Sequence, residues 1–201
     1  VATGDPVKPD QNAPFCGYVF KTVNDPFIGQ LTYLRIYAGV LKENADIYNV
    51  SKGQKEKIGH LYVMNGKEQQ AVTQASVGMI VAIPKMKYST IGDTLGMPGS
   101  KIEFSRVQYP TPSISFSIHS KAKGDEEKIS TGLHKLCDDD PTLHLEKNTE
   151  TKEMVLSGLG DLHIDVALSR LRDKFHVDVE IGKPKIAYKE TCRKNAKGTR
   201  S

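Results

Sequence analysis

The residues best suited to binding or catalysis lie in one stretch, Ser157–Phe175, which reads SGLGDLHIDVALSRLRDKF. Gly158 and Gly160 predict a tight turn, because glycine adopts positive φ values without a steric cost. Asp161 follows at a helix start, where free N–H groups and the helix dipole stabilise a carboxylate. The pattern predicts a helix start that presents Asp161 and His163 to a partner or holds a phosphate. An ordinary strand-to-helix turn explains the same residues, and no Lys or Arg adjoins the turn to support phosphate binding.

The sequence motifs of catalytic and metal sites are missing. The Gly-Lys pairs at 66–67 and 182–183 are followed by Glu68 and Pro184, so the chain lacks the phosphate-binding loop of nucleotide hydrolases. No G-x-S-x-G nucleophile turn occurs, and the histidines lack metal-ligand spacing. Asp138-Asp139-Asp140 supplies too few ordered oxygen ligands for calcium and predicts a solvated turn at a helix end. We therefore predict no catalytic residue and no metal site.

Length and composition set the outer limits of the chain. Its 201 residues suffice for one large or two small domains, and 38% hydrophobic content supports real cores. Three widely separated cysteines form neither a disulfide framework nor a metal motif, which indicates a reducing cytosol. No apolar run is long enough to predict a membrane span. The chain begins with Val1, and we expect it to be a piece of a longer protein.

The net charge of +4 is distributed unevenly along the chain. Residues 183–201 contain seven basic side chains and one glutamate, so this tail carries +6 and the remaining residues sum to −2. A basic tail is usually solvated and only sometimes contacts nucleic acid. The body of the chain is therefore not predicted to bind polyanions in general.

One strand pattern raises the question of base stacking. Tyr33, Arg35 and Tyr37 alternate along a predicted strand and would share one face of it. Aromatic and cationic side chains on a strand can stack on nucleic-acid bases, although the same alternation more often serves packing.

Residues 14–108 have the sequence pattern of an all-β domain. Short runs rich in β-branched and aromatic residues recur, and Gly, Asn, Asp or Pro separates them. The clearest run is Leu31–Tyr37, whereas the charged stretch Lys52–Lys57 predicts a loop. Many short strands without a helical stretch predict a closed β-barrel. Pro, Gly and Asp in residues 1–13 predict a linker before it.

Residues 109–182 change to a mixed α+β pattern. Ser113–Ser120 alternates apolar and polar side chains, which predicts a strand with one buried face. A first amphipathic helix opens near Gly124 with acidic residues in its first turn and ends at Asp140-Pro141, and a second follows the glycine turn described above. Three further strands complete the order β-α-β-β-α-β, which is the ferredoxin-like arrangement.

Six long blocks of this sequence resemble translation elongation factor G, in the order in which that family has them. The resemblance covers nearly the whole chain, and it is specific because several blocks stay in register. The blocks are DPFIGQLTYLRIYAGVL (Asp25–Leu41), SKGQKEKIGHLYVM (Ser51–Met64), STIGDTL (Ser89–Leu95), KGDEEKISTGLHKLCDDDPTLHL (Lys123–Leu145), SGLGDLHIDVALSRLRDKF (Ser157–Phe175) and GKPKIAYKET (Gly182–Thr191).

The resemblance implies a two-domain architecture. Residues 14–108 would be the family's second domain, a translation-factor-type β-barrel, and residues 109–182 its third, a ferredoxin-like domain. Residues 183–201 would be the start of a truncated fourth domain, and residues 1–13 a linker from a GTPase domain. That GTPase domain would bind GTP and Mg²⁺, so the resemblance implies no cofactor in this chain and no enzymatic activity of its own.

The resemblance also implies partners and site residues. In such factors the barrel packs on the GTPase domain and touches small-subunit ribosomal RNA, and the third domain relays the nucleotide state into domain rotation. The implied partners are the ribosome, through small-subunit RNA and proteins, and the parent protein's own GTPase domain. The resemblance implies no membrane partner, and it implies that the chain is monomeric and cytoplasmic. The residues that the resemblance assigns to the GTPase-domain or ribosome-facing surface are Asp25, Pro26, Phe27, Gly29, Gly158, Gly160, Asp161 and His163.

Several positions depart from the family pattern. Asn65–Gln70 replaces a His-Ala-Asn-type stretch, Leu159 stands where Met is common, and Asp161 stands where Glu is common. An elongation factor G-like paralogue or a ribosomal-protection protein therefore stays open beside the principal factor. A stand-alone RNA-binding module also stays open, although the net charge of −2 on residues 1–182 disfavours it. An acylphosphatase-like enzyme would need an arginine in the loop after the first ferredoxin strand, where His119–Ala122 supplies only a lysine.

Overall fold

The computed structural model describes residues 6–25, 29–66, 68–122 and 124–191. The predicted linker is therefore described from Pro6 onward, and the predicted tail only as far as Thr191. Two of the predicted site residues, Pro26 and Phe27, lie outside the described residues.

Ten short strands form the first unit of the fold. Their order in the main sheet is β5-β4-β10-β1-β2-β9-β6-β7, with every neighbouring pair antiparallel, and β3 and β8 form a separate two-stranded ribbon. The strands are β1 (Cys16–Asp25), β2 (Gly29–Ala38), β3 (Val40–Lys42), β4 (Asp46–Asn49), β5 (Gln54–Lys57), β6 (Leu61–Asn65), β7 (Glu68–Val72), β8 (Gln74–Ser76), β9 (Ile80–Pro84) and β10 (Thr94–Gly96).

The sheet curls around one apolar core, as the all-β pattern predicts. Inward-facing side chains of alternating strand positions fill that core, among them Val19, Leu34, Ile36, Leu61, Val81 and Leu95. The sheet is barrel-like, as predicted, although within the described residues no ladder joins its edge strands β5 and β7. Loop contacts bring its two ends together: the Glu43 N–H donates to the Thr73 carbonyl at 3.0 Å, and the Asn44 N–H donates to the Gly59 carbonyl at 3.2 Å.

One prediction is wrong at β5: the charged stretch Lys52–Lys57 was expected to be a loop, but Gln54–Lys57 form a strand. Glu56 is only 6% exposed, although it lies between two lysines. Its carboxylate accepts hydrogen bonds from the backbone N–H of Tyr88 at 3.0 Å, from the backbone N–H of Lys87 and from the Ser89 hydroxyl. A charged residue can therefore face inward here because a distant loop supplies the donors.

The second unit has the predicted ferredoxin-like order. It consists of β11 (Ile114–Ser120), α1 (Glu126–Asp139), β12 (His144–Lys147), β13 (Met154–Gly158), α2 (Asp161–Phe175) and β14 (Val179–Gly182). The strands pair antiparallel in the order β12-β13-β11-β14. The helices pack their apolar stripes on the sheet, with a core that includes Ile118, Leu133, Leu136, Leu156, Ile164 and Leu171.

The connector between the two units is attached to the barrel. The Phe104 ring lies 4.8 Å from the Tyr37 ring and 5.8 Å from the Tyr18 ring, measured between centroids. An Arg106 guanidinium nitrogen lies 3.1 Å from an oxygen of Asp93, which is fully buried. The chain between the last barrel strand and β11 therefore follows a defined path over the barrel surface.

Candidate functional site

The site predicted from the sequence centres on His163, which lies in the first turn of α2. The backbone N–H of Leu159 donates to His163 Nδ1 at 3.1 Å, so Nδ1 carries no proton in this arrangement. The ring proton is therefore on Nε2, which donates to Asp140 Oδ2 at 3.1 Å. Both ring nitrogens are occupied by intradomain bonds, and His163 joins the end of β13 to the turn after α1.

Asp140 receives more than this one hydrogen bond. Its Oδ1 accepts from the Thr142 backbone N–H at 2.9 Å and from the Thr142 hydroxyl at 2.6 Å. Burial by itself raises the pKa of the Asp140 carboxyl, but the hydrogen bonds from Thr142 and His163 outweigh it and hold the pKa below its usual value. The prediction of a simply solvated turn holds for the exposed Asp138 and fails for Asp139 and Asp140, because Asn24 donates to the first carboxylate and Thr142 and His163 donate to the second.

The two glycines of this stretch do not adopt the positive φ that the sequence predicted. Gly160 has φ 178°, which is extended backbone, and a Cβ there would meet open space. Gly158 also lies outside the positive-φ glycines, but a Cβ on it would lie 2.8 Å from Ile164 Cδ1 and 3.1 Å from His163 Nδ1. Gly158 is therefore required by close packing of the strand end on α2, and Gly160 is required by neither packing nor backbone geometry.

Asp161 is the first residue of α2, but it does not join His163 in a common site. The Asp161 side chain is exposed, and the helix begins at Gly160 without a side-chain cap. Next to it, Leu162 is 76% exposed, whereas His163 is turned toward Asp140. The carboxylate and imidazole are thus separated, and the helix start presents an acid and a leucine to solvent.

The second predicted group of residues lies at the turn of the β1–β2 hairpin. Asp25 and Gly29 are paired in register at its end, and Gly29 has φ +86°, a backbone conformation that favours glycine. The hairpin approaches the end of α1 and borders a cleft of about 390 Å³ between the two units. Asn24, Lys135 and Lys174 line this cleft together with Gly29.

The strand face for which the sequence allowed either base stacking or packing lies on the outside of the barrel. We call this surface the outer barrel face. It is formed by the outward-facing side chains of β1 and β2, which are Phe20, Lys21, Tyr33, Arg35 and Tyr37. Lys21 Nζ lies 5.6 Å from the centroid of the Tyr33 ring, and Arg35 Cζ lies 5.8 Å from that of the Tyr37 ring. Phe20 packs edge-on against Tyr33 with a centroid distance of 6.3 Å.

The local charge of the outer barrel face is positive, although the body of the chain is not. The segment from Cys16 to Asn24 and the strands β2 and β9 contain no Asp or Glu. A bulge between Val19 and Lys21 turns both Phe20 and Lys21 outward, which strict alternation along the strand would not allow. The alternation of Tyr33, Arg35 and Tyr37 was visible in the sequence, but the bulge that completes the surface was not.

Within the described ranges, no three His, Cys, Asp or Glu side chains are placed to hold a metal ion. Burial raises the pKa of the Cys16 thiol to about 11, and burial together with Asp138 and Asp140 raises that of Cys137 to about 11. Neither thiol is therefore activated as a nucleophile. In the part of the chain that the structure describes, neither helix has the length and apolar character needed to cross a membrane.

Comparison with known proteins places these features in a family. Residues 14–97 match the family model "Elongation factor G domain 2", and residues 109–183 match "Elongation Factor G, domain III". An elongation factor G-like protein of Thermotoga maritima is 45% identical over 190 residues, which cover 94% of this chain and 28% of that protein. A crystal structure of a Thermus thermophilus protein superposes with a TM-score of 0.74 and 36% identity, over 87% of this chain and 26% of that one. The chain thus spans little more than a quarter of these relatives, and it belongs to the elongation factor G family as that family's second and third domains.

Proposed function

We propose that this chain is the non-catalytic central part of a ribosome-binding translational GTPase, in which residues 14–108 and 109–182 are the two domains. In this proposal the barrel binds the ribosomal small subunit, and the ferredoxin-like domain transmits the nucleotide state of a GTPase domain to the rest of the protein during translocation or ribosome recycling. The observation that carries the proposal is the outer barrel face. It combines exposed aromatic rings with two cations, and the segment from Cys16 to Asn24 and the strands β2 and β9 contain no carboxylate.

The chemistry of the outer barrel face suits unpaired or looped RNA. Aromatic side chains stack on bases whatever their identity, and Lys and Arg neutralise phosphates and displace counterions. Lys21 and Arg35 lie against tyrosine rings, so a base stacked on either ring would place its phosphate near a cation. Phe20 and Tyr37 are the most exposed rings of this surface, at 39% and 38%, whereas Tyr33 is half-buried beneath Phe20 and Lys21.

The start of α2 is the proposed contact with the GTPase domain or the ribosome. Asp161 and Leu162 are exposed there and would make that contact, whereas His163 would position the helix through Asp140. The hairpin turn that contains Asp25, Pro26, Phe27 and Gly29 is proposed to face the same partners. Residues 183–201 would lead into a further domain, and residues 1–13 would link to the GTPase domain.

The proposal includes several properties of the chain alone. We infer that it binds neither GTP nor Mg²⁺, because nucleotide binding would reside in the GTPase domain. We also infer that the chain is monomeric and cytoplasmic. Isothermal calorimetry with GTP and Mg²⁺ tests the first point. Heat of specific binding in the micromolar range would contradict it.

Co-sedimentation with purified small ribosomal subunits tests the ribosomal role. We expect the chain to pellet with the subunits at low salt and to be released as salt rises. Arg35→Ala should weaken binding, whereas Lys57→Ala, which removes an exposed lysine on β5 at the far edge of the sheet, should not. Equal loss in both variants, or no binding at all, would contradict the proposal. Equal affinity for protein-free ribosomal RNA of any sequence would instead favour a stand-alone RNA-binding module.

A further inference from the structure

The barrel contacts the second domain through the end of β1, which reaches the last turn of α1. The Thr22 hydroxyl donates to the Asp138 carbonyl at 2.6 Å, and Asn24 Nδ2 donates to the Lys135 carbonyl at 3.0 Å. Asn24 Nδ2 also lies 2.7 Å from Asp139 Oδ1, and the Asn24 backbone N–H donates to Asp139 Oδ2 at 3.2 Å. Two residues of one domain thus supply the donors for one helix end of the other.

The C-terminal end of α1 needs these donors. The last four carbonyls of a helix have no partner within it, and basic residues in the last turn normally help to stabilise them. The last turn of α1 contains no basic residue and carries Asp138 and Asp139, whose charges the helix dipole disfavours. Its own domain supplies the Asp140 N–H, which donates to the Leu136 carbonyl at 3.0 Å. The barrel supplies a donor for one further unpaired carbonyl, that of Asp138, and a second donor to the Lys135 carbonyl just before the last turn, so α1 is capped in part from outside its own domain.

The second helix joins the same contact. Lys174 Nζ of α2 lies 3.4 Å from the Asn24 carbonyl oxygen and 3.9 Å from Asp139 Oδ2. Burial raises the pKa of the Asp139 carboxyl, although the hydrogen bonds of Asn24 and the charge of Lys174 oppose the rise. Asn24 therefore contacts both helices, and its amide and backbone groups replace the water that Asp139 has lost.

The contact is polar and separate from both hydrophobic cores. The core of the barrel and the core of the second domain share no residue within the described part of the chain. The hydrogen bonds that join the two domains lie outside these cores, so they can open and exchange for bonds to water, which a single shared core could not do.

We propose that the end of β1 is a releasable latch: Thr22 and Asn24 cap α1 when the domains are docked, and withdrawal of these two residues uncaps residues 135–140. The orientation of the two domains and the order of the last turn of α1 then form one linked equilibrium. This property goes beyond the proposed ribosomal role and does not depend on it, because every group involved belongs to this chain.

The hairpin offers a matched pair of substitutions that tests the latch. Thr22 and Thr32 are direct neighbours across β1 and β2, and both are buried. The Thr22 hydroxyl reaches α1, whereas the Thr32 hydroxyl has no hydrogen-bond partner among the described residues. Thr22→Val therefore removes the interdomain bond, Thr32→Val makes the same chemical change without removing one, and Thr22→Ser keeps the hydroxyl.

The readouts are NMR residual dipolar couplings, which report relative domain orientation, and amide hydrogen exchange of residues 135–140. We expect one alignment tensor to fit both domains of the wild-type chain, of Thr32→Val and of Thr22→Ser. Thr22→Val and Asn24→Ala should require two tensors, with exchange at 135–140 at least about threefold faster and exchange in β13 unchanged.

Three results would overturn the latch. One is a wild-type chain that already requires two tensors. Another is wild-type orientation and exchange in both Thr22→Val and Asn24→Ala. The third is equal loosening in Thr32→Val, which would assign the effect to strand packing. Unchanged exchange in β9 of the barrel and in β13 of the second domain shows that a variant has folded, and Thr22→Ser supplies the rescue if Thr22→Val is poorly folded.

Discussion

His163 donates its Nε2–H to Asp140 Oδ2 at 3.1 Å and so ties the start of α2 to the turn that ends α1. The Leu159 N–H donates to the other ring nitrogen and fixes which nitrogen carries the proton. A histidine that the sequence offered as a partner-facing group is therefore first a structural junction of the second domain. Any effect of His163 on function should act through the position of α2.

His163→Ala should destabilise the second domain by about 1 to 3 kcal/mol, because it leaves the Leu159 N–H and the Asp140 carboxylate without their partner. Denaturant unfolding followed by circular dichroism measures this cost. His134→Ala is the matched control, since His134 is exposed and its Nδ1 contacts the Ser130 carbonyl of its own helix. The control should change the free energy of unfolding by less than about 0.5 kcal/mol. Equal costs for the two variants would show that the Asp140 junction contributes nothing.

The lowered pKa of Asp140 predicts a loss of stability in acid. A carboxyl whose pKa is lower in the folded than in the unfolded chain stabilises the fold above the unfolded pKa. This stabilisation is lost as the pH falls below about 4 and through the folded-state pKa. The free energy of unfolding of Asp140→Asn should therefore fall less steeply than that of wild type between about pH 5 and pH 3. Parallel pH profiles would contradict the assignment.

Gly158→Ala and Gly160→Ala should differ sharply in their cost. The added methyl at 158 would lie 2.8 Å from Ile164 Cδ1 in the fully buried core, and overpacking of this kind costs about 1 to 3 kcal/mol. The methyl at 160 meets open space on extended backbone, so that variant should lie within about 0.5 kcal/mol of wild type. Thermal unfolding of the two variants decides the matter. A larger cost at 160 than at 158 would contradict the packing explanation.

Asp93 should be far more important to barrel stability than Arg106, which it binds. The fully buried Asp93 carboxylate also accepts from Asn49 Nδ2 at 3.0 Å and from the Thr90 N–H at 2.9 Å. Asp93→Ala should cost about 2 to 4 kcal/mol, because buried donors lose their acceptor. Arg106 is more than half exposed, so Arg106→Ala should cost less than about 1 kcal/mol.

Urea unfolding of the two variants checks this order. Asp46→Ala, which removes an exposed carboxylate from β4, is the control and should be nearly neutral. A cost for Arg106→Ala as large as that for Asp93→Ala would show that the ion pair, and not the buried hydrogen bonds, holds the connector.

Local patterns predicted the elements whose burial they encode. The alternation of Ser113–Ser120 predicted β11, and the apolar spacing after Asp161 predicted α2 with Ile164 and Leu171 in the core. Each of these patterns repeats with the period of its element, so a short window is sufficient to detect it.

The remaining features depend on partners far along the chain. Glu56 is buried because residues 87–89 supply donors, and the end of α1 is capped by Asn24, more than a hundred residues earlier. Asp140 has its low pKa because the nearby Thr142 and the distant His163 both donate to it. A sequence window around any of these acids shows only a charged residue, which is why a loop and a solvated turn were predicted.

The salt dependence of binding to small ribosomal subunits tests the central claim most directly. Removing two phosphate-contacting cations should reduce the slope of log K against log salt by about 1.4, at roughly 0.7 per contact for single strands. We expect that reduction for the double variant Lys21→Ala/Arg35→Ala. The variant Lys55→Ala/Lys57→Ala removes the same charge from exposed positions of β5 and should keep the wild-type slope. Identical slopes for the two double variants would contradict an RNA-binding role for the outer barrel face.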